Sequence, residues 1–295
     1  MSRGARVESS FNRAQTTMAS VKSAFRTAVK PVLFKLLGNG GYEYVQSLGK
    51  IRDIDGRLVE EAELELYPRF IGEADEVLDI GANYAYHVHR MAKLCPRGMV
   101  HAFEPIPFTY RVCKRIVAHY GLKNVELHQL GVGAVDETTT FRVPKVGFGG
   151  IAGGQSHIAS RNNELDGKAQ HYQFDQSEEV ACRIVALDGF LTKLSNLTFV
   201  KMDIEGAEYF ALKGMRGLMA KFAPVVMLEI NPFFLKGYCL SEDDLRTYFG
   251  ELGYAFFRYD SERRRLAPHS GPFVEANYIA LTKRHQAKLA DILGD

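Results

Sequence analysis

A chain of 295 residues, 46% hydrophobic and 24% charged, is long and apolar enough to bury a full core, which excludes a disordered or fibrous protein. A formal charge of +2 makes no electrostatic case for nucleic acid, and none is expected as a partner. Cys95, Cys113, Cys182 and Cys239 form no C-x-x-C pair, which argues against a zinc site and a disulfide scaffold and fits a reducing, cytoplasmic setting. No run approaches the ~18 apolar residues of a membrane span.

The charge is uneven. Residues 1–37 carry seven Lys/Arg against the single acid Glu8, and the remainder is mildly acidic. Phe11, Ala14, Met18, Val21, Phe25, Ala28, Val32 and Leu36 recur at three- and four-residue steps, the stripe of an amphipathic helix. Pro31 interrupts it and Gly38-Asn39-Gly40-Gly41 ends it. Residues 1–59 are therefore expected to form a basic helical arm. Three roles stay open for it: packing on the body or on a second copy, lying on a membrane surface, or serving as a cleaved targeting segment.

From residue 60 the pattern alternates. It predicts a helix over 60–70, a strand over 76–80, a helix over 86–95 and a strand over 99–103. A helix over 107–120 ends at Gly121, and a strand follows over 125–130. Strands are expected over 138–143, 180–187 and 197–202, a helix over 207–219, and a strand over 225–230. A Ser241-capped helix to 252 and strands over 255–259 and 278–281 close the unit, which is expected to span 60–285 with a tail over 286–295. Such alternation argues for an α/β fold, a mostly parallel sheet with helices on both faces. Residues 144–178 break it. Gly147, Gly149, Gly150, Gly153 and Gly154 crowd a stretch expected to be a mobile loop beside the site.

Three stretches carry chemistry. In Val77-Leu78-Asp79-Ile80-Gly81-Ala82-Asn83, an apolar strand delivers an acid and a glycine turn into a helix. Ligands bind at such strand ends. Gly81 permits close backbone approach, and Asp79 can bind a ligand ammonium or fix the loop. Ala85 stands where a dinucleotide fingerprint would place another glycine, so no pyrophosphate cradle is present. Glu104-Pro105 ends the next strand, where an acid can accept from vicinal ribose hydroxyls. In Phe199-Val200-Lys201-Met202-Asp203-Ile204-Glu205-Gly206-Ala207-Glu208, a buried strand ends in Asp203, and Glu205 and Glu208 open a helix whose dipole favours acids.

These stretches, together with Leu187-Asp188 and Leu228-Glu229-Ile230-Asn231, resemble the FkbM family of S-adenosylmethionine-dependent methyltransferases over roughly 60–283. The resemblance implies a class I methyltransferase, Rossmann-like seven-stranded sheet, S-adenosylmethionine as methyl donor, and often a hydroxyl acceptor. The family usually has glycine at the position of Ala85 and a small hydroxyl residue near His87. Expected cofactor contacts are Asp79, Gly81, Ala82, Asn83, Glu104, Pro105, Gly131 and Val132.

Methyl transfer is an in-line displacement in which alignment does most of the work. A base helps a hydroxyl acceptor, and Asp203 is the first choice, with His87 and His157 as runners-up. Tyr84, Tyr86, Glu205, Tyr209 and Asn231 are expected around a small-molecule or carbohydrate acceptor. His87 and His89 are two apart and share no helix face, so no metal site is expected. The competing readings are an NAD-type nucleotide-dependent oxidoreductase and a non-catalytic binding protein with a degenerate cofactor site.

Overall fold

The computed structural model describes residues 38, 40–58, 61–145, 151, 153–162 and 176–294. The stripe and basic residues of 1–37 lie outside the described residues, as do 146–150 and 163–175 of the glycine-rich segment. Residues 40–55 form α1. A 3-10 turn (Ala62–Leu66) leads into the single helical turn α2 (Tyr67–Phe70), with Pro68 in its first turn where no N–H is needed. Then follow β1 (Glu76–Ile80), α3 (Tyr86–Leu94), β2 (Met99–Phe103), α4 (Pro107–His119), β3 (Val125–His128), β4 (Gly131–Val132) and β5 (Glu137–Lys145). Beyond them lie β6 (His157–Ile158), β7 (Gln176–Val185), α5 (Leu187–Phe190), β8 (Leu197–Met202), α6 (Glu208–Gly214), α7 (Arg216–Phe222), β9 (Val225–Ile230) and α8 (Pro232–Gly237). The chain closes with α9 (Glu242–Glu251), β10 (Tyr254–Asp260), β11 (Arg265–Pro268), β12 (Ala276–Thr282) and α10 (Lys283–Lys288).

The main sheet has the order β11-β10-β12-β9-β8-β1-β2-β3. Its strands from β3 to β9 are parallel, and β12 inserts antiparallel between β9 and β10. The α/β class with a mostly parallel sheet is as expected. Among the described residues this sheet has eight strands rather than seven. Arg265–Pro268 adds an edge strand in which only Leu266 is buried, too little alternation to register in the sequence.

Strand parity sorts the core into two layers. Val77, Val100, Ala102, Phe199 and Met227 pack one face with α3 and α4. Leu78, Ile80, Phe103, Val200, Met202 and Leu228 pack the other with α6, α7 and α9. Phe199 is fully buried between Tyr67 (5.0 Å) and Phe70 (5.7 Å), a burial that stabilises by about 1.5–3 kcal/mol.

Two expected boundaries shift. Residues 40–55, assigned to the arm, dock on α4: Tyr42 stacks on Phe108 at 5.8 Å, and Arg111 Nε donates to Glu43 at 2.8 Å. Residues 286–294, assigned to a tail, are packed: Leu289 is buried and Leu293 bridges to Leu266. The single helix expected over 207–219 breaks at Met215 into α6 and α7. Strands β4, β7, β5 and β6 form a second sheet, built on the long antiparallel pairing of β5 with β7 from Glu137↔Ile184 to Lys145↔Gln176. The margins of the supposed 144–178 loop are thus strand.

Candidate active site

The site lies at the carboxyl ends of β1, β2, β8 and β9. Parallel register pairs Asp79 with Lys201 and Ile80 with Met202, so Asp79 and Lys201 share the face opposite Leu78 and Val200. The same parity carries Asp203 and Glu229 onto that face, since Lys201 pairs with Met227. A row of Asp79, Lys201, Asp203 and Glu229 results. Lys201 Nζ donates to Asp203 Oδ2 at 3.1 Å and is almost wholly buried. Glu229 hydrogen-bonds Asp203 from the neighbouring strand.

The covering helices add a second polar group to this layer. Tyr67 hydroxyl lies 2.6 Å from His87 Nδ1, and His87 Nε2 lies 3.4 Å from Glu61 Oε1. Both Asp79 and Asp203 feel the field of His87.

Electrostatics divides the acids into different states. Burial raises Asp79, opposed by Lys201 and His87. Burial would also raise Asp203, but Lys201 and the Glu229 hydrogen bond outweigh it, so Asp203 sits below the ordinary carboxylate range. Burial and the negative charge of Asp203 push Glu229 up to about 9. Lys201 is raised: burial opposes its charge, but Asp203, Asp79 and Glu61 override that. At neutral pH the row holds a cationic lysine, an ionised Asp203 and a protonated Glu229 that donates to it.

Gly81 lies at φ +89°, and a Cβ there would sit 2.0 Å from the Asp203 carbonyl oxygen. The two motif loops therefore pack backbone to backbone, with Asp203 N–H donating to the Ile80 carbonyl at 3.0 Å. Asn83 and Ala85 also take positive φ, 45° and 61°. Glu104 accepts the amides of Asn83 (3.0 Å) and Ile106 (2.9 Å), and burial lifts it to about 7 against those bonds. Glu208 folds back to accept the amides of Ile204 and Gly206 at 3.0 and 3.3 Å, so it holds the loop after β8.

These loops frame a cleft. Its polar part is lined by Gly81, Asn83, Glu104, Pro105, Gly154, Ser156, Asp203 and Glu205. An adjoining apolar part is lined by Phe103, Leu130, Gly131, Val132, Phe141 and Ile184. Residues 153–162 roof it. A Cβ on Gly153 or Gly154 would strike Thr109 or Asn83, and the Gly153 amide donates to the Tyr84 hydroxyl. At its other end Ile158 N–H donates to the Tyr238 hydroxyl and Asn162 N–H to the Gly237 carbonyl. The segment thus spans from the β1 loop to α8.

Of the residues singled out in the sequence, Gly81, Asn83, Glu104, Pro105, Gly131, Val132, Asp203 and Glu205 meet at the cleft. Asp79 lies buried beneath it, beside Lys201. Ala82 is buried and its amide is used on the Phe103 carbonyl. Others are not brought there. Tyr209 lines a separate groove with Lys213, Arg216 and Tyr248, because α6 turns its ring outward. Asn231 Oδ1 caps α8 on the Phe233 amide at 3.0 Å. Tyr84 and Tyr86 face Lys50 of α1, at 4.5 and 5.5 Å. His157, on β6, is buried and does not line the cleft, since Ile158 takes the inward parity. Lys201, Glu61, Tyr67 and Glu229 take part in the site although no role is expected of them from the sequence. The available signal was a lysine inside an otherwise apolar buried strand, which demands acids at the same parity on its neighbours.

The chain matches the methyltransferase FkbM domain model over residues 79–256. It is 26% identical over 148 residues to methyltransferase 1 of Beauveria bassiana, covering 47% of this chain and 57% of that protein. The chain therefore spans little more than half the length of this curated relative. Among solved structures, it is similar to a methyltransferase FkbM from Methylobacillus flagellatus (TM-score 0.44, 16% identity, 80% of this chain and 59% of that chain). It is also similar to a SAM-dependent O-methyltransferase from Thermotoga maritima (TM-score 0.38, 11% identity, 78% and 69%).

Proposed function

Because the chain belongs to the FkbM methyltransferase family, we propose that it transfers a methyl group from S-adenosylmethionine to a hydroxyl oxygen of a carbohydrate or other small-molecule acceptor. One observation carries the donor assignment. Among the described residues, both carboxylate oxygens of Asp79 are buried without a hydrogen-bond partner, beneath a cleft whose rim is Gly81, Asn83 and Glu104. Lys201 lends Asp79 a nearby charge but no hydrogen bond, so its lone pairs still call for a hydrogen-bonding partner such as an ammonium or a water. The ammonium and ribose of S-adenosylmethionine match Asp79 and Glu104, and the apolar wall of Phe103, Leu130 and Val132 suits a planar base. When bound, the donor supplies an electrophilic methyl on a sulfonium.

The protein's own contribution is alignment and charge. Asp203 is ionised, about one third exposed, and held by Lys201 and Glu229, so its free lone pairs face the cleft in one fixed geometry. It accepts the acceptor hydroxyl and orients its oxygen. Lowered basicity is tolerable here, because the hydroxyl proton becomes acidic as the new C–O bond forms. His87, clamped by Tyr67 and Glu61, contributes to the field at Asp203 rather than contacting an acceptor.

The family match does not favour the oxidoreductase or the non-catalytic alternative. No described helix is long and apolar enough to cross a membrane. A cytoplasmic setting, and membrane-surface or self-association through residues 1–37, belong to the same proposal. The test is calorimetric titration with S-adenosylhomocysteine and with NAD, followed by an acceptor screen with methyl-labelled donor over sugars, alcohols and lipid-linked glycans. Binding of NAD without response to S-adenosylhomocysteine would overturn the reading.

A further inference from the structure

Next to the apolar wall of the cleft, the register of β2 with β3 assembles a second polar cluster. His101 pairs with Glu126 and Phe103 with His128, so parity puts both imidazoles and the Glu126 carboxylate on one face at the sheet edge. His101 Nδ1 lies 3.2 Å from Glu126 Oε2, and His128 Nε2 lies 4.0 Å from the same oxygen. All three atoms fall within 4.8 Å of one another.

Two further observations point to a ligand. His101 is more than nine-tenths buried with its Nδ1 turned to the Glu126 carboxylate, and the Nε2 of His128 is a buried atom with no hydrogen-bond partner among the described residues. The rings are also held rigidly. They lie within 10° of parallel, and His128 stacks on Phe103 at 4.7 Å with Phe190 against its edge at 5.2 Å.

We propose that His101, Glu126 and His128 form a binding site for a borderline divalent transition-metal ion, of which zinc is the type. Two imidazole nitrogens and one carboxylate oxygen are the donor set such ions prefer, whereas magnesium and calcium take all-oxygen shells. Ligand bonds of about 2.0–2.1 Å in a tetrahedron place donor atoms roughly 3.3 Å apart, so the most widely spaced pair needs to close by about 1.5 Å at most. Glu126 is exposed, which leaves an entry path and room for water as a fourth ligand. Imidazoles ligate only when unprotonated, so binding is expected to weaken in acid. The ion would tie edge strand β3 to β2 beside the cleft, since the His128 carbonyl accepts the Glu104 amide at 3.0 Å.

The test uses the full chain, stripped with chelator and titrated with Co²⁺ and Zn²⁺. The expected result is one Co²⁺ per chain with the intense visible absorption of a tetrahedral site, displaced by Zn²⁺, and a zinc-dependent rise in the thermal midpoint. H101A and H128Q are each expected to weaken binding at least tenfold, and E126Q to weaken it as well. D203N, which changes the cleft, should bind Co²⁺ as the parent does. Glu126 is exposed, so E126Q decides the matter even where a histidine variant folds poorly. Absence of a cobalt spectrum in the parent chain would overturn the proposal, as would binding that survives E126Q and H128Q or that disappears in D203N.

Discussion

Glu229 and Asp203 share one proton across the ends of β9 and β8, and Glu229 holds it. Two carboxyls this close cannot both ionise, and Lys201 decides which one does, because its ammonium donates to Asp203. The arrangement leaves one fixed negative charge at the cleft.

Stability should fall with pH because of Glu229. Its ordinary value is 4.5 and its folded value about 9. Below 4.5 both folded and unfolded chains bind the proton. Between 4.5 and 9 only the folded chain does, so stability is lost as pH rises through that window. Glu229→Gln keeps a donor to Asp203 and removes the titration. Urea unfolding at pH 6 and pH 8.5 should show a smaller loss in the variant than in the parent. Equal losses would contradict the shared proton.

Lys201→Met should be far worse than a surface substitution. It leaves Asp79 and Asp203 without their cation in a buried layer, a loss of about 3–5 kcal/mol. Denaturant midpoints measure it. A change below about 1 kcal/mol, typical of an exposed pair, would show that Lys201 is not the counter-charge.

Asp203→Asn should separate chemistry from donor binding. Asparagine still accepts from Lys201 but lacks the charge that orients the acceptor. Turnover with the methyl-labelled donor is expected to fall by about 10²-fold or more, with S-adenosylhomocysteine affinity nearly unchanged. Parent-like turnover would remove Asp203 from the mechanism.

Glu104→Gln exchanges one accepting oxygen for an NH2 that can only donate. One of the amides of Asn83 and Ile106, or a ribose hydroxyl, then loses its partner at about 1–3 kcal/mol. Calorimetry should record roughly tenfold to hundredfold weaker S-adenosylhomocysteine binding. Unchanged affinity would place the nucleoside elsewhere.

Gly81→Ala should not fold stably. A methyl at φ +89° would stand 2.0 Å from the Asp203 carbonyl oxygen, and neither backbone can retreat without breaking the Asp203 to Ile80 hydrogen bond. The left-handed conformation alone costs about 1–2 kcal/mol. A soluble variant with the parent's thermal midpoint would refute the close packing of these two loops.

The amino-acid sequence alone determined the strands and the acids at their ends. Apolar runs such as 76–80, 99–103 and 197–202 carry their own period, and Asp79, Glu104 and Asp203 follow directly from where those runs stop. Local signals also located Gly81 and the Ser241 cap. Only the tertiary structure decided how those acids are neutralised. The Lys201–Asp203–Glu229 arrangement depends on which strands become neighbours and in what register, and Glu61, just ahead of the 3-10 turn, and Tyr67 of α2 reach His87 through a docking that no local pattern encodes. For the same reason the second sheet, the roof over 153–162 and the outward turn of Tyr209 emerged only on folding: each is set by long-range pairing, while sequence periodicity reports the environment of one segment at a time.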